Sequence, residues 1–371
     1  MTWNWQQSDW PAFTYNAEAL VSFEQLILQE SGMLFGIYRH LTSEDKTQLR
    51  VEVLSSEALK TSEIEGEYLD RDSLQSSIRR HFGLQFDSRR IPPAETGVIK
   101  LMMDLYQTYD QPLDESMLCR WHQNLMTGRA DLEYVGQYRK GQDPMQVVSG
   151  PVYEPHIHFE APPSERIKME MDRFIHWFNE ASLQKRTPFS LLARTGIAHL
   201  YFESIHPFED GNGRLGRALC EKMLAQGLGQ PTLIALSTTI NLHRKAYYLA
   251  LESANKKNDL TDWLVFFSDI ILKALQYTRT NIEFLIQKSK LFIRMQGQLN
   301  SRQEKLLLRL FREGPQGFEG GLSAAKYKKI TKATPATATR DLHDLVEKGA
   351  LIKSGELRYT RYYLPFSPNL E

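Results

Sequence analysis

The run His206-Pro207-Phe208-Glu209-Asp210-Gly211-Asn212-Gly213-Arg214-Leu215-Gly216-Arg217 constrains this chain more than any other stretch. It reads as a loop that turns into a helix. Gly211 and Gly213 suit a tight turn that leaves backbone N–H groups uncovered. Beyond them Leu215, Leu219, Met223 and Leu224 recur at helical spacing and predict an apolar stripe. A Gly-rich turn that feeds a helix N-terminus favours anions, because orphan amides and the helix dipole both present positive charge. Arg214 and Arg217, three residues apart, share a face and can grip phosphate oxygens in forked geometry. Asp210 adds a hard oxygen ligand that suits Mg²⁺ beside those phosphates. His206 stands at the lip, where a neutral imidazole can take a proton from an incoming hydroxyl. No Gly-Lys-Ser/Thr follows, so this is not a Walker A loop.

The same residues fit the signature HPFx(D/E)GNGRxxR at every specified position, and the chain therefore resembles the Fic family. The resemblance implies a mainly α fold: a Fic-type helical bundle with a β-hairpin flap. It implies a protein adenylyltransferase that moves AMP from MgATP to a hydroxyl of a protein Tyr, Thr or Ser, itself included. His206 would be the general base and Asp210 the Mg²⁺ ligand. Gly211, Asn212 and Gly213 would hold the α- and β-phosphates with Arg214 beside them, and Arg217 would take the γ-phosphate. Gly216 belongs to the same nucleotide-binding stretch.

The charges cancel, 45 against 45, so the molecule as a whole is not an electrostatic binder of nucleic acid or membrane. At 371 residues and 42% hydrophobic content it has room for two or three domains and a sizeable core. Cys119 and Cys220 form no CxxC pair, which argues against a disulfide scaffold or zinc site and favours a reducing cytosol. The start, Met1 to Trp10, has neither the basic nor the apolar region of a signal peptide. Trp263 to Leu275 is interrupted by Asp269 and Lys273 and is too short to span a bilayer. A cytoplasmic protein without a membrane partner is expected.

Along the chain, Trp3, Trp5, Trp10, Phe13 and Tyr15 predict a tail packed back on the core rather than a binding arm. Ala17 to Leu41 has helical periodicity with interruptions near Gly32 and Gly36, and Glu44 to Glu67 reads as a long helix. At its end Thr61-Ser62-Glu63-Ile64-Glu65-Gly66 puts Thr61 and Glu65 on one face before a glycine stop. By spacing alone this is a solvated acidic helix end. It also fits the Fic inhibitory motif (S/T)xxxE(G/N), and the resemblance then implies that Glu65 pairs with Arg217 and displaces the γ-phosphate. An inhibitor placed upstream of the fold is similar to the second class of Fic proteins.

Residues 70–83 predict a helix capped by Asp70 or Ser73, and Phe86 to Pro93 a connector. Val98, Leu101, Met102, Leu105 and Tyr106, then Met117, Leu118, Trp121 and Leu125, form helical stripes. Gly136 to Arg139, Gln146 to Gly150 and Tyr153 to His156 suggest a hairpin. It resembles the Fic flap, with Val147, Val148, Ser149 and Gly150 as the residues that would pair with the target's segment. His156 and His158 are read as flap surface, since no acid–histidine helix accompanies them. Pro162-Pro163-Ser164 caps the next helix, and Pro188 to Ile205 is a helix that delivers His206. Asn241 to Asn255 predicts another. By the resemblance Tyr247, Tyr248 and Asn255 are candidates for the adenine and ribose, with core packing the alternative for the tyrosines. Thr261 to Leu299 is nearly unbroken helix.

Residues 301–364 run helix, Gly-rich turn, helix, helix, hairpin, an order that resembles a winged helix-turn-helix with Ala336–Lys348 as recognition helix. The segment carries 13 Lys+Arg and 7 Asp+Glu. Its basic residues can meet DNA phosphates, whereas Asp341, Asp344 and Glu347 would repel them, so a protein contact is the alternative. The chain thus divides into an N-terminal helical region with the inhibitory helix (1–90), a Fic core (91–275), a linking helix (276–300) and a winged-helix domain (301–371). Two other functions use the same residues: removal of AMP from a modified protein, with Glu65 steering water, or a nucleotide-sensing DNA-binding regulator. A homodimer is expected by analogy with Fic proteins.

Overall fold

The computed structural model describes residues 2–84, 91–151, 155–183, 189–232 and 234–367, with side chains outside 181–183. Connector residues 86–90, Tyr153 and Glu154 of the hairpin, and Pro188 at the start of the helix expected before His206 lie outside the described residues. The chain is 64% helix and 5% strand, a mainly α protein. Two compact units divide it: residues 1–40 with 50–277, and residues 41–49 with 278–371.

The first unit holds helices α1 (Val21–His40), α3 (Arg71–His81), α4 (Pro93–Thr108), α5 (Glu115–Leu125), α6 (Ser164–Leu183), α7 (Leu191–Ile205), α8 (Asn212–Leu228), α9 (Leu236–Leu242) and α10 (Arg244–Ala254). It also takes most of α2 (Ser43–Ile64) and the first half of α11 (Thr261–Arg294). Short polar residues start several of these helices by accepting an amide hydrogen bond: Asp70 from Ser73, Asp114 from Met117 and Ser190 from Ala193. The α7 helix is buried on nearly every face, and α8 packs against α4, α5, α6 and α7. The loop between these two central helices is therefore fixed from all sides. Strands β1 (Gln146–Ser149) and β2 (His156–Glu160) pair antiparallel, with an irregularity between Val147 and Val148.

The N-terminal aromatics pack back as expected. Trp3 and Trp5 are buried, Trp3 meets Phe159 edge-on, and the Trp5 Nε1–H donates to the Glu160 carbonyl at 2.7 Å. Trp10 rests on Phe13 and Tyr201. Three local expectations change. Helix α1 runs through Gly32 and Gly36 without a break, since an exposed helical glycine weakens a helix without ending it. The helix expected over 241–255 is two helices that meet at His243, which caps the end of one and the start of the next. Gly136 to Arg139 are not strand, because the Arg139 N–H donates to the Pro207 carbonyl instead.

The second unit contains α12 (Ser301–Arg312), α13 (Ala324–Thr331), α14 (Pro335–Glu347) and the hairpin β3 (Ile352–Ser354) with β4 (Arg361–Tyr363). Leu322 bridges to Tyr362 and widens that hairpin. Its core gathers Phe284, Leu306, Leu310, Phe311, Tyr327, Leu342 and Leu345. No described helix is long and apolar enough to cross a membrane.

A candidate phosphate cradle closed by two glutamates

Helix α7 ends at His206, whose backbone takes the left-handed conformation (φ 50°, ψ 60°) that ordinary residues adopt only under constraint. The constraint is visible. Arg139, buried with no carboxylate partner among the described residues, donates from Nε to the His206 carbonyl at 2.8 Å and from its guanidinium to the Pro162 carbonyl at 2.5 Å. Phe208 is fully buried and stacks on His122 at 4.1 Å. Asn212 donates to the Phe208 carbonyl and accepts from the Phe208 amide, at 2.9 and 3.0 Å. The Asn212 side chain is thus committed to closing the loop, and only its backbone remains for a ligand.

The next helix begins at Gly211, which is left-handed at φ +79° and offers no side chain to cap the first turn of α8. The amides at that end point out uncapped, as an anion site requires. Gly213 lies in the same turn, and a Cβ there would collide with the Glu65 carboxylate. Glu65 therefore lies against the turn where an anion would sit. Its Oε1 accepts from Arg217 at 2.7 Å. Thr61 completes the arrangement: its Oγ1 accepts from the Arg217 Nε at 2.8 Å and its carbonyl from the same guanidinium at 3.0 Å. Arg217 is 2% exposed. Burial works against its charge, but Glu65, with Tyr247 and Glu203 adding to it, pushes its pKa upward.

A second pair stands beside the first. Arg214, 3% exposed, donates to Glu67 at 2.6 Å. Asp210 is tied to Arg129 at 2.6 Å, and despite burial Arg129 and Arg214 hold its carboxyl below the usual range. Glu67, Arg129 and Arg139 were not singled out in the sequence. Glu67 follows Glu65 by two residues, a weak signal, while the arginines lie in loops with no pattern to mark them.

His206 is nearly enclosed. Burial first, and then the Arg139 charge, lower its pKa to about 4, so the ring is neutral at pH 7. Its Nδ1 faces the Glu203 carbonyl at 3.4 Å and the Glu203 carboxylate at 3.9 Å. Burial, with the Glu65 charge second, pushes the Glu203 carboxyl up to about 8. A Cβ at Gly216 would strike Glu203 and His199, so the helix surface there must stay bare.

The other expected site residues separate. Tyr247 is buried and its hydroxyl is shared with His199 Nε2 at 2.6 Å. Asn255 is buried at the end of α10, where its carbonyl accepts from the Asn4 amide and its side chain from the Ser204 hydroxyl. Tyr248 is exposed, its hydroxyl near the Ile64 carbonyl at 3.5 Å. Val147 and Val148 are exposed on β1, and Ser149 leads to Gly150 in the left-handed region.

The fold brings an uncapped helix turn, two buried arginines and a neutral histidine together in one helical unit. Residues 112–224 match the model of the Fic/DOC family, and residues 3–84 match that of a domain of unknown function (DUF4172). The chain is similar to protein adenylyltransferase Fic of Drosophila grimshawi, 28% identical over 41% of this chain and 29% of that one. The Drosophila mojavensis protein of the same name is 33% identical over 28% and 19%. A probable protein adenylyltransferase of Aquifex aeolicus is 26% identical over 43% and 42%. The matches thus span less than half the length of these relatives. Among solved structures, a Fic family protein from Desulfovibrio desulfuricans superposes with a TM-score of 0.54 at 20% identity, over 95% of this chain and 98% of that one. A Fic domain containing signaling protein from Bacteroides thetaiotaomicron gives 0.51 at 17% identity, over 72% and 97%. At these identities the likeness concerns the fold.

Proposed function

We propose that the chain is a protein adenylyltransferase whose site is held shut by Glu65. The observation that carries this reading is the contact of one carboxylate with both Arg217 and the uncapped first turn of α8. In the reaction a target hydroxyl oxygen attacks the α-phosphorus of ATP. The bond to the β-phosphate breaks, pyrophosphate leaves, and the hydroxyl proton passes to His206. Its Nδ1 is turned to Glu203, which leaves Nε2 for that proton. The amides after Gly211 with Arg214 and Arg217 take up charge that develops on the leaving pyrophosphate.

Asp210 fits a divalent cation: its carboxylate is ionised and 37% exposed at the lip of the cradle. Mg²⁺ bound there supplies neutralising charge to the phosphates. Before ATP can enter, Glu65 and Glu67 have to leave the two arginines, because the triphosphate needs the same guanidinium groups. The exposed Tyr248 is the better placed of the two tyrosines for a base, while Tyr247 and Asn255 act behind the surface. The β1 edge with Val147, Val148, Ser149 and Gly150 would pair with the target. The inhibitory helix then falls in residues 1–90 and the transferase core in 91–275.

The test is to incubate the chain with MgATP labelled at the α- or the γ-phosphate. Label from the α-phosphate alone should become covalent, and His206→Ala should remove it. Label from the γ-phosphate would replace this reading with phosphate transfer.

A second reading, DNA binding by the C-terminal unit, gains from one observation. Asp341 is buried and bound to Arg302 and Tyr327, and Asp344 is tied to Gln303 and Lys348. Two of the three acids that would repel a duplex are thus engaged within the unit, while Arg340, His343 and Glu347 are exposed on α14. Salt-sensitive retardation of a DNA duplex by the full chain, weakened by Arg340→Ala, checks this; no retardation at low salt would end it.

A further inference from the structure

The geometry points to a transition-metal site in which His156 and His158 of the β1–β2 hairpin and Glu252 of α10 hold one ion of the Zn²⁺ class. One ligand atom from each lies within 4.8 Å of the others. His156 and His158 are two apart on β2 and so project to the same side, with ring centroids 4.5 Å apart and edge to face. His158 Nδ1 is 2.9 Å from Glu252 Oε2. Tetrahedral zinc with bonds of about 2.0–2.2 Å keeps its ligand atoms roughly 3.3–3.5 Å apart, so a small turn of the exposed His156 ring completes the set.

The surroundings already do what metal ligands need. An imidazole bound through one nitrogen steadies itself by donating the other N–H to a nearby acceptor. His158 Nε2 meets the Ser149 hydroxyl at 2.6 Å, which leaves Nδ1 for an ion. Glu252 uses Oε1 for Lys256 at 3.1 Å and keeps Oε2 on the histidine side. Lys256 is the opposing charge at the site, held on the other carboxylate oxygen. Two imidazoles and one carboxylate suit Zn²⁺ or Co²⁺ and suit Mg²⁺ poorly. The fourth position is left for water or a ligand.

Such an ion would join the hairpin to α10, two segments 94 residues apart. Its effect on target docking rests on the flap role proposed above; the binding itself does not.

The experiment titrates tag-free, full-length protein with ZnCl₂ in excess MgCl₂ against a chromophoric chelator. One zinc per chain is expected, and Co²⁺ in its place should give the visible absorption of a tetrahedral site. His158→Ala and Glu252→Gln should each weaken binding at least about tenfold, and Ser149→Ala by about tenfold. His176→Ala on α6 and His206→Ala should bind as the parent does. The altered side chains are at least partly exposed, and a thermal melt of each variant confirms that it is folded. Absence of bound zinc, or binding at the parent's affinity by His158→Ala and Glu252→Gln, would overturn the site. Because His206→Ala keeps the metal while losing AMP transfer, the two proposals fail separately.

Discussion

The amino end of α8 and the β1–β2 hairpin belong to one compact unit and treat their polar groups in opposite ways. At α8 the cations are buried, and each is met by a carboxylate from the chain itself: Arg217 by Glu65 and Arg214 by Glu67. On the hairpin, Val147, Val148 and Ile157 face solvent at 39%, 51% and 39% exposure. A buried guanidinium without a partner costs several kcal/mol, whereas an exposed two-stranded edge costs little and can wait for another strand. The buried arginines of the cradle therefore need partners from within the chain, and the hairpin edge needs none.

The sharpest way to break this contrast is at His206. His206→Ala should cut covalent α-label by about 10²–10⁴-fold, the usual worth of a positioned base, with ATP still bound. Label at the parent level would remove the cradle from the chemistry. Next, Glu65→Gly should raise self-labelling by about tenfold or more, because the carboxylate on Arg217 is gone. The same variant should melt lower, by about 1–3 kcal/mol, since Arg217 keeps only Thr61 while Glu65 was itself partly exposed. MgATP should then restore more of its melting temperature than it adds to the parent; a variant as stable as the parent and no more active would make Glu65 an ordinary surface acid.

On the other side of the comparison, Val148→Asp should leave the melting temperature and ATP binding unchanged while lowering labelling of a target several-fold. A drop in stability would show that the hairpin edge is packed rather than waiting. The last of these tests concerns Glu203. Its carboxyl stays protonated in the fold up to about pH 8, while the unfolded chain releases that proton near 4.5. The folded state therefore holds the extra proton between these values, and native stability falls as pH rises through that window. Glu203→Gln mimics the protonated form. Its melting temperature relative to the parent should climb from pH 4.5 to 8 and level off above; a difference that is flat with pH would exclude the buried proton.

Much of this was legible before any coordinates. Helix α14 was expected over 336–348 and runs from Pro335 to Glu347; the long helix before Gly66 was expected to 67 and ends at Ile64. The Thr61, Glu65 and Arg217 grouping was expected from a family likeness, and the three side chains do meet. By spacing alone, Glu65 looked like a solvated helix end. Asp341 and Asp344 show the opposite error. Read along the sequence they are a repulsive face of α14; in the fold they bind Arg302 and Gln303 of α12.

Local rules reach only as far as a turn or two of helix. Apolar periodicity, capping residues and a glycine turn act between neighbours, and so the chain by itself determined its helices, the α7–α8 loop and the uncapped turn at Gly211. The partners of charged groups are chosen across the whole chain, because a buried charge must be matched by whatever packing brings near. Glu67 with Arg214 and Glu252 with His158 are separated by 147 and 94 residues, and only the tertiary structure decided that they would touch.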